Sequence, residues 1–225
     1  MNTVLVWKLL LSVTIFLILL LLSTFLFYKI YFQRDPERQI IEGNYVLAPA
    51  DGTVQKIIKF DLNKTNAGIK IINKKYLGKI KTDVKDVSNK GYLVSIFMSP
   101  LDVHVNRAPI NGKIINQSHK NGTFHPAFKF WETLENEKNE ILIEGNYTIK
   151  NSSKTVKIKT IQIAGAVARR IESFVKKNDL VKAGEKIGRI NLGSQTTLIL
   201  PDSIKIVVKE GDKVFAGESK IGIID

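Results

Sequence analysis

The chain has 225 residues, 44% of them hydrophobic and 24% charged, which suits one domain with an appendage and excludes a disordered or fibrous protein. It contains no cysteine, so a disulfide framework, a zinc ribbon, a cysteine-ligated iron–sulfur cluster and a thiol nucleophile are excluded. The formal net charge of +13 predicts attraction to an anionic partner, either nucleic acid or an acidic membrane surface.

From Leu9 to Tyr28 there are 20 consecutive uncharged residues, which at helical rise reach about 30 Å and span a bilayer core. A cleaved signal peptide fits less well, because the run outlasts an ordinary signal core and ends in Ser23-Thr-Phe-Leu-Phe-Tyr28 without a small-x-small site. Lys29, Arg34 and Arg38 follow the run, whereas Lys8 and the terminal amine precede or open it. The positive-inside rule then places the body on the cytoplasmic side of the cell membrane, with a monotopic helix lying in one leaflet as the alternative. Residues 1–38 thus read as membrane anchor and juxtamembrane segment, and residues 39–225 as the body.

The first 38 residues hold four basic and two acidic side chains, so the remaining 187 keep a net charge of +11. These charges are scattered through strand-like text with no aromatic interleaving and no helix-turn-helix or RNA-binding signature, so nucleic acid is not the expected partner. An anchored cationic body suits an anionic lipid surface. Past Gly43 come short β-branched runs, Thr53–Ile58, Gly91–Phe97 and Lys154–Ile163, separated by Gly, Asn and Pro. Lys154–Ile163 alternates polar and apolar residues, as a strand with one wet face would. One short helical turn is expected around Val167–Ile171.

Val175-Lys-Lys-Asn-Asp-Leu-Val-Lys-Ala-Gly-Glu185 recurs 33 positions later as Val208-Lys-Glu-Gly-Asp-Lys-Val-Phe-Ala-Gly-Glu218. Each copy places an Asn-Asp or Gly-Asp turn and an Ala-Gly-Glu turn around a Val-centred strand, with Asn or Gly where positive φ is favoured. The pattern resembles the half-motif of lipoyl- and biotinyl-type folds; two ordinary hairpins are the plain alternative. No lysine stands at a hairpin tip beside Met, so a carrier domain is not expected. The fold class expected is mainly β, a barrel-sandwich-like body behind one N-terminal transmembrane helix.

Four segments hold residues that a plain β-body would not need. Ala48-Pro-Ala-Asp-Gly52 puts Asp51 on a Pro/Gly turn, and Ser99-Pro-Leu-Asp-Val-His-Val-Asn-Arg-Ala-Pro109 sets Asp102, His104, Asn106 and Arg107 between prolines. Ile163-Ala-Gly-Ala-Val-Ala-Arg-Arg170 pairs Arg169 and Arg170 with small residues, and Leu192-Gly-Ser-Gln195 interrupts two β-type runs. Taken singly, Asp51 and Asp102 read as turn caps, His104 as a hydrogen-bonded strand residue and Ser194 as a turn serine.

Taken together and in order, these segments resemble the phosphatidylserine decarboxylase family in its short, single-domain form, from Phe32 to the C-terminus. Gln33-Arg-Asp-Pro-Glu-Arg38 is similar to the family's post-anchor motif, and Ala48-Pro-Ala-Asp-Gly-Thr-Val54 to its Pro-Ala-Asp-Gly motif. Phe97–Pro109 is similar to its histidine motif and Asn136-Glu-Lys-Asn139 to its Asn-Glu-Arg-Asn element. Gln162–Arg170 and Gly188-Arg-Ile-Asn-Leu-Gly-Ser194 complete the set.

The resemblance implies a proenzyme that cuts itself between Gly193 and Ser194, giving a β chain of residues 1–193 and an α chain of residues 194–225. It implies that Ser194 becomes a covalent pyruvoyl group, which forms a Schiff base with the substrate amine in place of pyridoxal phosphate and without a metal. It also implies that Asp51 orients His104, that His104 serves as base in cleavage and proton donor in turnover, and that Arg107, Arg169 and Arg170 are candidates for the lipid phosphate or substrate carboxylate. The substrate would be a membrane phospholipid of the phosphatidylserine type, diacyl or archaeal diether. Open sheet edges would allow homo-oligomers.

One departure stands out: longer members carry a second histidine three residues after the first, where this chain has Arg107. The group that starts self-cleavage is therefore open among His104, His119 and His125, with His104 favoured by its motif. The competing readings are a membrane-anchored barrel-sandwich adaptor, which lacks the expected helical hairpin here, and a lipid-binding protein without catalysis.

Overall fold

The computed structural model describes residues 3–62, 84–122, 136–149, 152–165, 170–191 and 194–225. The chain forms two compact units, Met1–Asp35 and Pro36–Asp225. In the first, helix α1 (Thr3–Leu26) continues into one π-helical stretch, Phe27–Phe32. Leucine favours helix, and an apolar surface on every side suits lipid rather than one face of a core. The Thr14 and Thr24 hydroxyls return to the carbonyls of Leu10 and Leu20, keeping their polar groups satisfied within the helix, as a bilayer requires. Thr3–Phe32 is long and apolar enough to cross a membrane. Phe27 stacks on Tyr31, Tyr28 on Phe32, and the Arg34 guanidinium lies 4.0 Å over the Tyr31 ring, the aromatic and cationic girdle of a helix end at an interface.

The second unit is mainly β, as expected. Its strands are β1 (Tyr45–Leu47), β2 (Gly52–Asp61), β3 (Lys90–Met98), β4 (Val105–Arg107), β5 (Gly112–Lys120), β6 (Lys138–Ile149), β7 (Ser152–Ala164), β8 (Ile171–Ser173), β9 (Leu180–Val181), β10 (Lys186–Ile190), β11 (Ser194–Pro201), β12 (Ile204–Ile206), β13 (Lys213–Val214) and β14 (Lys220–Ile224). An eight-stranded sheet of order β13-β2-β3-β11-β7-β6-β5-β9 curls into a half-barrel. Two three-stranded sheets, β1-β14-β12 and β4-β10-β8, complete the body. One cluster joins Val46, Ile96, Ile143, Ile187, Leu198 and Ile221 from all three sheets, so burial of their apolar faces is what closes the sheets on each other.

Two local expectations change. The alternation along β7 holds only to Ile158; from Lys159 to Ala164 every residue is buried. The second face of the strand is covered by a smaller cluster of Phe60, Val84, Leu93, Ile161, Ile163 and Ile199, and Lys159 is paired with Asp86 at 2.7 Å. Ile171–Ser173 is strand rather than part of a helical turn, while residues 166–169 lie outside the described residues.

The repeat is one part of a larger pseudo-twofold. Asn178 and Gly184 have φ of 79° and 80°, and their counterparts Gly211 and Gly217 have 95° and 79°, conformations that exclude most side chains. β8, β9 and β10 recur as β12, β13 and β14. Ala48-Pro-Ala-Asp-Gly52 is matched by Ala108-Pro-Ile-Asn-Gly112. Gly217 N–H donates to Ala48 O as Gly184 N–H does to Ala108 O, and Leu47 N–H reaches Pro109 O as Arg107 N–H reaches Pro49 O. The plain two-hairpin alternative does not account for this exchange.

Candidate active site

Ser194 is the first residue of β11, at the centre of the large sheet, with Met98 of β3 on one side and Ala164 of β7 on the other. It is fully buried. Its Oγ donates to Met98 Sδ at 3.3 Å, and the strand register fixes that pairing before any side chain chooses a rotamer. Asn136 Nδ2 donates to Ala164 O at 2.6 Å, so the Asn136–Asn139 motif anchors the neighbouring strand end.

Beyond Met98 the chain turns through Ser99, whose N–H and Oγ donate to Asp102 Oδ2 at 2.8 and 2.7 Å. Lys213 Nζ donates to Asp102 Oδ1 at 2.8 Å. Burial alone would raise the Asp102 pKa, but Lys213 and the two Ser99 hydrogen bonds outweigh it and hold the carboxylate below its ordinary value. The backbone carbonyl of Asp102 lies 2.9 Å from Nδ1 of His104, which is buried. A carbonyl only accepts, so Nδ1 donates to it, and in a neutral imidazole Nε2 is then the basic nitrogen. Ile190 N–H donates to His104 O at 3.2 Å, tying the histidine to the strand whose continuation leads to Ser194.

Asp51 is buried. Arg38 Nη2 donates to both of its oxygens at 3.0 and 2.9 Å, and Ala216 N–H to Oδ1 at 2.8 Å. The structure brings Asp51 to Arg38 and Ala216, and sets the Asp102 carbonyl against Nδ1 of His104. The pseudo-twofold explains half of this: Asn111, the counterpart of Asp51, accepts from Ala183 N–H at 2.8 Å, as Asp51 does from Ala216. The acceptor oxygen belongs to the repeat, and the charge belongs to Arg38. Glu218 takes the other arm of Arg38 at 3.2 Å and the Gln39 N–H at 2.9 Å.

Arg107 is buried, with Nη1 donating to Gly184 O at 2.9 Å and Nη2 to Pro36 O at 3.4 Å. Arg170 is exposed. Gly193, Arg169 and His125 lie outside the described residues. His119 Nε2 is 3.3 Å from Glu137 Oε1 on the β5–β6 side. A cavity of about 670 Å³ is lined by Tyr45, Asn111, Tyr147 and Lys182 but by none of the expected site residues. Sequence reading passed over Met98, Gln162 and Thr196, all fully buried around Ser194. For Gln162 and Thr196 the legible signal is a polar side chain within a β-type run; Met98 carries no such signal.

The profile of the family described as phosphatidylserine decarboxylase matches residues 25–222. A Methanocaldococcus jannaschii protein named as an archaetidylserine decarboxylase proenzyme is 44% identical over 88% of this chain and 90% of its own length. A Methanothermobacter thermautotrophicus protein with the same name is 37% identical over 90% and 83%. A Chlorobium phaeobacteroides phosphatidylserine decarboxylase proenzyme is 36% identical over 87% and 78%.

Proposed function

The chain belongs to the phosphatidylserine decarboxylase family, and on that premise we propose that it is a self-processing enzyme that removes carbon dioxide from a phosphatidylserine-type membrane lipid. Supporting this, segments distant in sequence converge on one serine: Met98 from the histidine motif, Ala164 from the Gln162–Arg170 segment, and Asn136 through its bond to Ala164. Relatives named for archaetidylserine and for phosphatidylserine are both similar to the chain, so the headgroup chemistry, serine on a phosphodiester, defines the substrate class.

In processing, Ser194 Oγ forms a bond to the Gly193 carbonyl carbon, the C–N bond breaks, and the amide becomes an ester. Loss of the Ser194 Cα proton then expels the Gly193 carboxylate, and the dehydroalanine left behind takes up water and releases ammonia. The products are chains 1–193 and 194–225, the latter beginning with a pyruvoyl group. His104 Nε2, with Nδ1–H held by the Asp102 carbonyl, accepts the serine proton. The surroundings fit the new group, because the Met98 thioether and Ala164 offer an apolar wall to its methyl.

The pyruvoyl carbonyl supplies an electron sink for the pair left by carbon dioxide. His104 holds the proton that returns to the substrate carbon. Arg169 and Arg170, in the same sequence segment as the small residues Ala164 and Gly165, offer guanidinium groups to phosphate or carboxylate, while Arg107 is occupied with backbone carbonyls. Asp51 acts at a distance, by fixing Arg38 and the Ala216 turn. The apolar helix anchors the enzyme beside its lipid, with the body on the cytoplasmic side.

Intact mass spectrometry of the purified protein tests the proposal. Two chains, the smaller starting at 194 and reactive toward a carbonyl-trapping reagent, are expected, and Ser194→Ala is expected to leave one uncut chain with an unchanged fold. Normal two-chain product from Ser194→Ala would refute it.

A further inference from the structure

We propose that Met98 is the positioning residue for the Ser194 nucleophile, and that a one-way chain of buried side-chain hydrogen bonds sets where its sulfur lies. This rests on the self-cleavage reading above. The chain runs from Gln117 Nε2 to Asn139 Oδ1 at 3.4 Å, from Asn139 Nδ2 to Gln162 Oε1 at 2.8 Å, and from Gln162 Nε2 to Asn106 Oδ1 at 2.8 Å. Asn106 Nδ2 then donates to Thr196 Oγ1 at 3.1 Å, and Thr196 Oγ1 to Met98 Sδ at 3.4 Å. Asn139, Gln162, Asn106, Thr196, Met98 and Ser194 are all 0–1% exposed, so water does not compete for these groups.

Asn139, Gln162 and Asn106 each donate forward and accept from behind, which fixes their orientation. Thr196 accepts from Asn106, so its single proton is left for the sulfur. Ser194 and Thr196 are two apart on β11 and share one face of the sheet, and both hydroxyls converge on Met98, which lies directly opposite Ser194 in the register. Leucine would fill the same space but could not accept. A carbonyl or carboxylate would grip the serine proton that attack must release, whereas a thioether is a weak acceptor. The arrangement thus orders the Ser194 hydroxyl while leaving its proton easy to remove. Gly188 of the Gly188–Ser194 motif makes room for the chain, since a Cβ there would meet Gln162 Nε2 at 2.6 Å.

The sequence holds two methionines, Met1 and Met98, so norleucine in place of methionine changes one sulfur to methylene in the body. Full-length protein is synthesised in a cell-free system with phospholipid vesicles, using methionine, norleucine or selenomethionine, and appearance of the 194–225 fragment is timed. The norleucine protein is expected to unfold at the same temperature and to cleave about tenfold more slowly, the cost of one weak ordering bond; selenomethionine, which still accepts, is expected to restore the rate. Equal rates with methionine and norleucine would overturn the proposal. Should norleucine disturb folding, Thr196→Val against Thr196→Ser decides: slowing by Val and recovery by Ser support it, and equal rates overturn it. A methionine protein that never cleaves would overturn the self-processing reading together with this one, whereas a cleaving methionine protein isolates the role of the sulfur.

Discussion

Asp51→Asn separates a structural carboxylate from a catalytic one. The side chains of Arg38 and Asp51 are 6% and 7% exposed, and deleting one partner of such a pair costs about 3–5 kcal/mol. The cost here is smaller, because Asn keeps an acceptor for Ala216 N–H, as Asn111 does for Ala183, and because Arg38 retains Glu218. A loss of about 2 kcal/mol is expected for Asp51→Asn, and about 1 kcal/mol more for Asp51→Ala, which also gives up the turn hydrogen bond. Adding Arg38→Met to Asp51→Asn is expected to recover most of the loss, since no charge is then left buried alone. Urea unfolding in a Ser194→Ala background, where the chain stays whole, measures these values. Equal costs for Asn and Ala, or full stability in that background with processing abolished when Asp51→Asn is made with Ser194 intact, would refute the reasoning, and the second outcome would put the carboxylate in the chemistry.

Two further outcomes follow from the site. Gly188→Ala is expected to slow appearance of the 194–225 fragment on a denaturing gel, because its Cβ meets both the Gln162 amide and, at 2.6 Å, the rigid backbone oxygen of Glu172. The Asp102 carboxylate is held below its ordinary pKa of about 3.9 in the fold. Its contribution is therefore complete above that value and lost as acid carries the protein down through the folded value. Asp102→Asn is expected to flatten this acid limb in a stability-against-pH series while leaving the slope above pH 6 unchanged.

The anchor, the β class and the order of motifs were legible because each is written in local text: an unbroken apolar run, β-branched runs between turns, and acids, His or Gly-Ser at punctuated positions. The turn glycines were legible for the same reason, as φ near +80° leaves few residues to choose from. What sequence hid is cross-chain. Arg38 and Glu218 are 180 positions apart, and Ala216 and Asp51 165, so nothing local announces the network that holds Asp51. The one wet face expected along β7 disappears from Lys159 onward because Val84 and Asp86 come from a different part of the chain to cover it. The larger repeat was hidden by the 60 positions between Ala48-Pro-Ala-Asp-Gly52 and Ala108-Pro-Ile-Asn-Gly112, where only Ala, Pro and Gly are shared.

Ser194 heads an interior strand, hydrogen-bonded along both edges to β3 and β7. On the proposed self-processing, the backbone is severed there and the short piece stays threaded through the middle of a fabric it no longer shares a covalent thread with. Folding of the precursor is unimolecular; reassembly of the mature pair would be bimolecular and would have to reopen a finished seam. Maturation is accordingly a ratchet. The uncut Ser194→Ala chain should recover from denaturant, whereas the matured enzyme, melted once, should not, so its lifetime in the membrane is governed by how slowly it comes apart.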